Sequence, residues 1–312
     1  MKTNTNDPSV LDPGVFARYQ QLMPDWQAFC HTIEQPLPTT FWRNPFRASH
    51  QQLMNFFAQY DLKPQVYSFS PLAYQLPANL PISRLPAWQA GWFHVQEMVS
   101  MLAAPLLAPQ AGQQVLDLCA APGGKTAMLA CLMQQQGLLL ANDLSIDRIK
   151  ALRHVIGRLG MSNVLCTQSD ARYFQAPEQS FDAILADVPC SCEGTVRRNP
   201  KVRFAQPPRD KIQASQQIIL AKAIELLKPG GRLLYSTCTL APEENEAVVS
   251  QALSQHDNLS LVPIALEGIH TRPGLLHWQQ QGFHPSMALS ARLYPQDNNS
   301  GGFYLALMEK AA

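Results

Sequence analysis

Charge is the first thing in short supply. Only 15% of the 312 residues are charged, against about 25% in an average soluble domain, and the signs nearly cancel at a net +1. That balance excludes the strong basic excess of a protein that grips long naked nucleic acid unaided, so any RNA or DNA contact must rest on local patches. Long apolar runs are also missing. The richest, Met101 to Ala108, is broken by Pro105 and falls far short of the ~20 residues of a membrane span. Met1 to Asp7 is polar and lacks the apolar stretch of a signal peptide. Seven cysteines, an odd number scattered over a large chain, make no disulfide framework. No internal repeat is visible. The expectation is a soluble, cytoplasmic protein in a reducing compartment, with enough hydrophobic residues (46%) for a sizeable core.

The length allows two domains, and the pattern divides the chain into an N-terminal α/β domain over residues 1–90 and a second domain over 91–312. Up to Pro86 the chain is rich in proline and aromatics, with helical pieces around Val15–Leu22 and Gln51–Tyr60 and a candidate strand at Leu62–Phe69. Ala87–Leu107 reads as a helix leading into the second region. From Gln113 onward strand and helix patterns alternate. Strands are expected at Val115–Leu118, Leu138–Asp143, Val164–Thr167, Phe181–Ala186 and Arg232–Ser236, the last after the turn Lys228-Pro229-Gly230-Gly231. A helix over Thr126–Gln135 follows the first strand. Ser145 caps the next, with Ile146, Ile149, Leu152, Val155, Ile156 and Leu159 on one face and Gly160 as its stop. Alternating β and α units predict a parallel sheet covered on both faces. Leu259–Ile264 and Phe303–Met308 close the series as an expected antiparallel edge pair.

Ligands bind outside the carboxyl ends of the strands in such a sheet, and three informative segments fall there. Cys119-Ala120-Ala121-Pro122-Gly123-Gly124-Lys125-Thr126 is a glycine turn opening a helix. It lacks the first glycine of a P-loop and the Gly-x-Gly-x-x-Gly of a dinucleotide fingerprint. Asp143, Asp170 and Asp187 close or follow three successive strands. A carboxylate at Asp143 suits ribose hydroxyls, and Asp170 an adenine amino group. Three acids would repel a phosphate-bearing nucleotide, so the set fits S-adenosylmethionine better.

The other two segments carry cysteines, Cys190 after Asp187-Val188-Pro189 and Cys238 within Ser236-Thr237-Cys238-Thr239. A thiolate is a strong nucleophile. Added to C6 of cytosine, it breaks the aromaticity and makes C5 enamine-like, able to take a methyl group. Loss of the C5 proton then expels the sulfur. Asp187 would hydrogen-bond the base edge, and a second cysteine would assist the elimination. Cys30, Cys119, Cys131 and Cys166 read as small buried hydrophobes. Cys190 and Cys192 make a Cys-x-Cys, but no second Cys/His pair has ligand spacing, so no metal is expected.

These motifs resemble the NOL1/NOP2/Sun RNA cytosine-C5 methyltransferases, bacterial Sun/RsmF-like enzymes included. The resemblance runs from about Gly91 to Lys310 through Leu118–Thr126, Asp187–Gly194 and Tyr235–Thr239, with Pro242-Glu243-Glu244-Asn245-Glu246 and Gly301-Gly302-Phe303-Tyr304 in order. It implies a Rossmann-like class I S-adenosylmethionine-dependent methyltransferase sheet with a smaller N-terminal α+β RNA-binding domain. It implies that Cys238 is the nucleophile and Cys190 the cysteine that resolves the adduct, with cofactor contacts from Cys119, Ala120, Ala121, Pro122, Gly123, Gly124, Lys125, Asp143, Asp170 and Asp187.

Val188 and Cys192 depart from the family's Asp-Ala-Pro-Cys-Ser-Gly, and Trp42-Arg43-Asn44-Pro45 is a distorted form of its Arg-x-Asn signature. Several bacterial relatives carry a further RNA-binding domain, which is not expected after Lys310 here. RNA affinity is expected from the N-terminal domain and from Arg197, Arg198, Lys201 and Arg203, placed to meet phosphates. The resemblance points to small-subunit ribosomal RNA, naked or in a ribosomal particle, ahead of transfer RNA. Other readings are a catalytically weak RNA-binding assembly factor and, last, an exocyclic-amine methyltransferase, whose Asp/Asn-Pro-Pro-aromatic turn is not matched at Cys190.

Overall fold

Aromatic residues of the N-terminal part build a small sheet. In the computed structural model, which describes residues 13–312, β1 (Pro38–Arg43), β2 (Gln65–Val66), β3 (Ala73–Ala78) and β4 (Phe93–Val95) pair antiparallel in the order β2-β3-β1-β4. The polar start Met1–Asp7 lies outside the described residues. Helix α1 (Trp26–Glu34) precedes the sheet. Helix α2 (His50–Ala58) begins at a capping box made by Ser49 and Gln52 and buries Leu53 and Phe57 against Phe41, Tyr74 and Phe93. The expected strand over 62–69 shrinks to β2, whose two residues are exposed.

The expected helix over 87–107 is broken into α3 (Pro86–Gln89), β4, α4 (Met98–Met101) and α5 (Ala103–Leu107). Tertiary packing overrides the helical pattern. Phe93 pairs with Arg43 across β1 and sets its ring 5.1 Å from Phe41 and 5.4 Å from Phe57.

The second sheet is built from β5 (Gln114–Asp117), β6 (Leu138–Asp143), β7 (Val164–Gln168), β8 (Phe181–Asp187) and β9 (Leu227–Thr237), all parallel. Helices α6 (Gly124–Leu132), α7 (Ile146–Leu159), α8 (Arg209–Leu226) and α9 (Glu246–Gln255) cover its faces. Successive residues of β8 alternate between two cores: Ala183 and Leu185 on one, Ile184 and Ala186 on the other. Ser145 Oγ accepts from Arg148 N, and Gly160 ends α7 in the left-handed region, both as the sequence predicts.

Beyond α9 come β10 (Leu259–Leu261), β11 (Arg272–Pro273), a hairpin of β12 (His277–Trp278) and β13 (Gln281–Gly282), then β14 (Ala291–Leu293) and β15 (Phe303–Lys310). The nine-stranded order is β11-β14-β15-β9-β8-β5-β6-β7, with β10 on β15. The expected β10–β15 pair is antiparallel, but β15 is not an edge. It lies between β9 and β14.

The expected boundary at residue 90 is corrected in two ways. β4, in the first sheet, ends at Val95. Phe16, Tyr19, Phe29 and Ile33 pack with Val196, Val202, Leu240 and Tyr294 of the second domain, not with the first sheet. Asn44, fully buried, fastens the parts together: its Nδ2 donates to Gly91 O at 3.1 Å and to Leu159 O, at the end of α7, at 2.9 Å.

Candidate active site

Strand order in the parallel sheet reverses between β5 and β8, the switch point where an open α/β sheet leaves a crevice. A cavity of about 500 Å³ opens there, within the size of small-molecule sites. Its wall joins the glycine turn, Asp117, Asp187, Cys192 and Cys238 to His94, Gln96 and Glu97 from the end of the first sheet.

The turn after β5 is shaped by packing as much as by any ligand. Gly123 has φ +107°, and a Cβ there would stand 2.7 Å from Leu152 of α7. Cys119, Ala120, Ala121, Pro122, Gly123, Gly124 and Lys125 all line the cavity. Asp117, at the end of β5, was not among the expected cofactor residues. Thr126 Oγ1 donates to its Oδ2 at 2.7 Å, while Oδ1 is buried with no hydrogen-bond partner. Burial pushes this carboxyl up to about 7, opposed by the Thr126 bond and aided by the charge of Asp187.

Of the three predicted acids, only Asp187 reaches the cavity. It accepts from Lys125 Nζ at 2.8 Å and from Ser236 Oγ at 2.6 Å. Burial alone would lower the Lys125 ammonium; the Asp187 carboxylate outweighs it and raises Lys125 above the ordinary lysine value. Asp143 is 2% exposed and accepts from Ala121 N at 3.2 Å and Ser145 N at 3.1 Å, with Arg148 beside it at 3.4 Å. It holds the turn and the cap of α7. Asp170 is gripped through both oxygens by Arg172, which lowers its carboxyl below the usual range. Neither presents a free carboxylate to the cavity, contrary to the expectation from strand order.

The two cysteine loops meet. Cys190 Sγ lies 3.4 Å from Cys238 Sγ and 4.0 Å from Cys192 Sγ. Backbone bonds lock them: Gly194 N donates to Cys238 O at 2.8 Å and Gly302 N to Gly194 O at 2.9 Å. A Cβ on Gly194 would meet Gly302 O at 2.0 Å, so only glycine fits. Ser191 N reaches Glu244 Oε2 at 2.8 Å, and Ser191 Oγ meets Thr239 Oγ1 at 2.6 Å. Cys192 stands in the left-handed region at φ +60°, where glycine is the easier residue. Hydrogen bonds from Cys190 and Cys238 lower the Cys192 thiol, with Arg198 and Arg148 assisting and burial opposing. Cys190 is raised by its bonds to Cys192 and Cys238. At Cys238 the bond to Cys190 lowers the thiol, but the bond to Cys192 and burial outweigh it and raise it.

The four predicted basic residues divide. Arg197 donates to Gln35 O, Pro36 O, Ser300 O and Asn299 Oδ1, clamping the segment after α1. Arg203 pairs with Glu34 of α1. Both are committed to packing. Arg198 and Lys201 are exposed, and Arg198 lines the cavity mouth, with Glu97 3.7 Å away. His94 and Glu97 were missed because they arrive from the other sheet. Burial and Arg158 push His94 down to about 4, leaving it neutral at pH 7, and burial raises Glu97. Among the described residues no helix is long and apolar enough to cross a membrane.

The family described as 16S rRNA methyltransferase RsmB/F matches residues 104–309. A human 28S rRNA (cytosine(4447)-C(5))-methyltransferase is 34% identical over 292 residues, covering 90% of this chain and 35% of that protein. A ribosomal RNA small subunit methyltransferase F from Erwinia tasmaniensis is 32% identical over 96% of this chain and 63% of its own length. The chain therefore spans less than two thirds of either relative. A methyltransferase homologue from Pyrococcus horikoshii superposes with a TM-score of 0.82 at 31% identity, covering 94% of this chain and 93% of that one. With its parallel sheet, glycine turn and paired cysteine loops, the chain belongs to the RsmB/F family of rRNA methyltransferases.

Proposed function

We propose that the protein transfers a methyl group from S-adenosylmethionine to C5 of a cytosine in structured small-subunit ribosomal RNA. The observation that carries this reading is the meeting of Cys190 and Cys238 at 3.4 Å beside a cavity floored by the glycine turn and Asp187. When bound, S-adenosylmethionine supplies an electrophilic methyl group on a sulfonium. The turn from Cys119 to Lys125 would hold it, and the free, buried Oδ1 of Asp117 fits the ammonium of its amino-acid end.

Cys238 Sγ adds to C6 of an unpaired or flipped cytosine, and Asp187, steadied by Lys125 and Ser236, hydrogen-bonds the base edge. Once C5 is methylated its proton passes to water, the C5–H pair re-forms the C5=C6 bond, and the C–S pair returns to Cys238. Cys190 assists that elimination. The family description and the Erwinia relative's name favour small-subunit RNA, whereas the human relative is named for the large subunit.

The test is transfer of labelled methyl to separated small-subunit, large-subunit and transfer RNA, each naked and, for the ribosomal RNAs, in native particles, followed by nucleoside analysis. 5-Methylcytidine in the small-subunit fraction is the expected result. Transfer only to another RNA would overturn the substrate. Cofactor binding with no transfer to any RNA would favour an assembly factor.

Two further outcomes follow from the site. Arg198→Ala with Lys201→Ala should weaken RNA binding and lower the slope of log affinity against log salt by about 1–2, one phosphate each. Arg197→Ala should instead lower the melting temperature, because its four carbonyl bonds are internal. Equal salt slopes for the Arg198/Lys201 variant and wild type would contradict the assignment.

The folded carboxyl of Asp117 sits near 7, above the ordinary ~3.9. Its contribution to stability is therefore complete below about pH 4 and is lost as pH rises towards 7, by about 4 kcal/mol in the ligand-free protein. Asp117→Asn should flatten the melting temperature across that window and melt higher than wild type at pH 8, while binding S-adenosylmethionine more weakly. Parallel pH profiles for the two proteins would refute it.

A further inference from the structure

We propose that Cys190, Cys192 and Cys238 form a three-thiolate site for Zn2+, and that an ion bound there silences the nucleophile. The silencing rests on the methyl-transfer reading above; the binding does not. The sequence spacing offered only a Cys-x-Cys, but the fold brings Cys238 from the end of β9 to the same point. All three sulfurs lie within 4.8 Å of one another, two of the separations being 3.4 and 4.0 Å. Three sulfurs at the usual Zn–S distance of about 2.3 Å stand about 3.8–4.0 Å apart, so the triangle needs shifts of under about 1 Å to close on an ion.

The frame that holds the triangle is rigid. The left-handed turn at Cys192 folds its side chain back, with Sγ 3.3 Å from Cys190 O. The bonds from Gly194 N to Cys238 O and from Ser191 N to Glu244 fix the two loops against each other. Cys192 and Cys238 both line the cavity, which leaves the fourth position of a tetrahedral ion open to it. Three thiolates on Zn2+ carry a net charge of −1; Arg198, Arg148 and Lys125 stand on the same cavity wall, each beside a carboxylate (Glu97, Asp143 and Asp187), so the charge is partly shared with these ion pairs. Each thiol that binds gives its proton to solvent, and nothing is oxidised or reduced. A metal–sulfur bond at Cys238 draws charge from the thiolate that would add to C6 and sets the ion in the base's path, so a bound ion blocks methyl transfer.

The test uses the full chain, freed of metal and kept reduced with a phosphine. Zn2+ is titrated against a chromophoric chelator, and Co2+ is added separately to read thiolate-to-metal charge transfer. Cys192→Gly removes only the third sulfur and suits the backbone there; Cys192→Ser is the second variant. Expected are one Zn2+ per chain, a thiolate charge-transfer band with Co2+, and binding weaker by about tenfold or more in both variants. Inhibition of methyl transfer by Zn2+, relative to each protein's own metal-free rate, should likewise need about tenfold more free metal in the variants. No charge-transfer band in wild type, or unchanged Zn2+ affinity in both variants, would overturn the site. Tight binding without inhibition would overturn the silencing. The binding readouts involve no methyl transfer, so failure of the enzymatic reading would leave them intact and would be seen separately.

Discussion

Cys190→Ala is expected to accumulate a covalent protein–RNA adduct that survives a denaturing gel, whereas Cys238→Ala yields neither adduct nor 5-methylcytidine. The asymmetry follows from the order of bond making. Cys238 supplies the sulfur that adds to C6, so without it C5 stays unactivated. A fall of about four orders of magnitude or more in methyl transfer is expected, the scale seen when a nucleophile is removed. Cys190 acts only once the bond exists, from 3.4 Å away, so its loss stalls release and leaves addition intact. The measurement is gel mobility of labelled RNA with nucleoside analysis of the same sample. A Cys190→Ala protein that turns over normally and shows no adduct would contradict the assignment.

The largest expected effect on stability lies at Arg292 on β14. Its Nε and Nη2 reach the two oxygens of Glu246, the first residue of α9, at 2.5 and 2.6 Å, and Nη1 donates to Leu240 O at 3.0 Å. The side chains are 2% and 0% exposed. Arg292→Ala leaves the buried Glu246 carboxylate accepting from Leu275 N without its charged partner, a loss of about 3–5 kcal/mol. Pairing Arg292→Met with Glu246→Leu removes the charge along with its partner and should recover much of that loss. Because Leu240 lies two residues past Cys238, the single variant should also lose methyl transfer below its melting temperature. Denaturant midpoints of the three proteins check this. A change under about 1 kcal/mol in the single variant would show that the pair is not what holds this loop.

Much of the sheet was legible because its signals are local. β6 and α7 fall where the apolar run, Ser145 and Gly160 put them. The site segments were legible for the same reason: each sits at the end of a strand in a sheet whose crevice position follows from topology. What escaped depends on partners distant in sequence. Helix α8 buries Gln216, which bonds Pro189 O, so its pattern lacks a clean apolar face. β4 is a strand only because β1 accepts it. Arg197 and Arg203 look like phosphate contacts until Pro36, Asn299 and Glu34 are brought beside them. Asp143 stands at the expected strand end, yet Ala121 and Ser145 use its oxygens. Cys190 and Cys238 were expected at one crevice, but that Cys192 completes a three-sulfur cluster was not legible, since it depends on the left-handed turn at Cys192.

Three thiols in one cluster make the identity of the attacking sulfur the point on which the account turns. The most direct measurement is mass spectrometry of the wild-type chain after reaction, with S-adenosylmethionine present, on small-subunit RNA containing 5-fluorocytidine. Fluorine replaces the C5 proton, so the methylated adduct has nothing to lose there and cannot eliminate. The account predicts the nucleotide mass on the peptide carrying Cys238 and on no other. The mass on Cys190 or Cys192, or no adduct from a preparation that makes 5-methylcytidine in ordinary RNA, would contradict it.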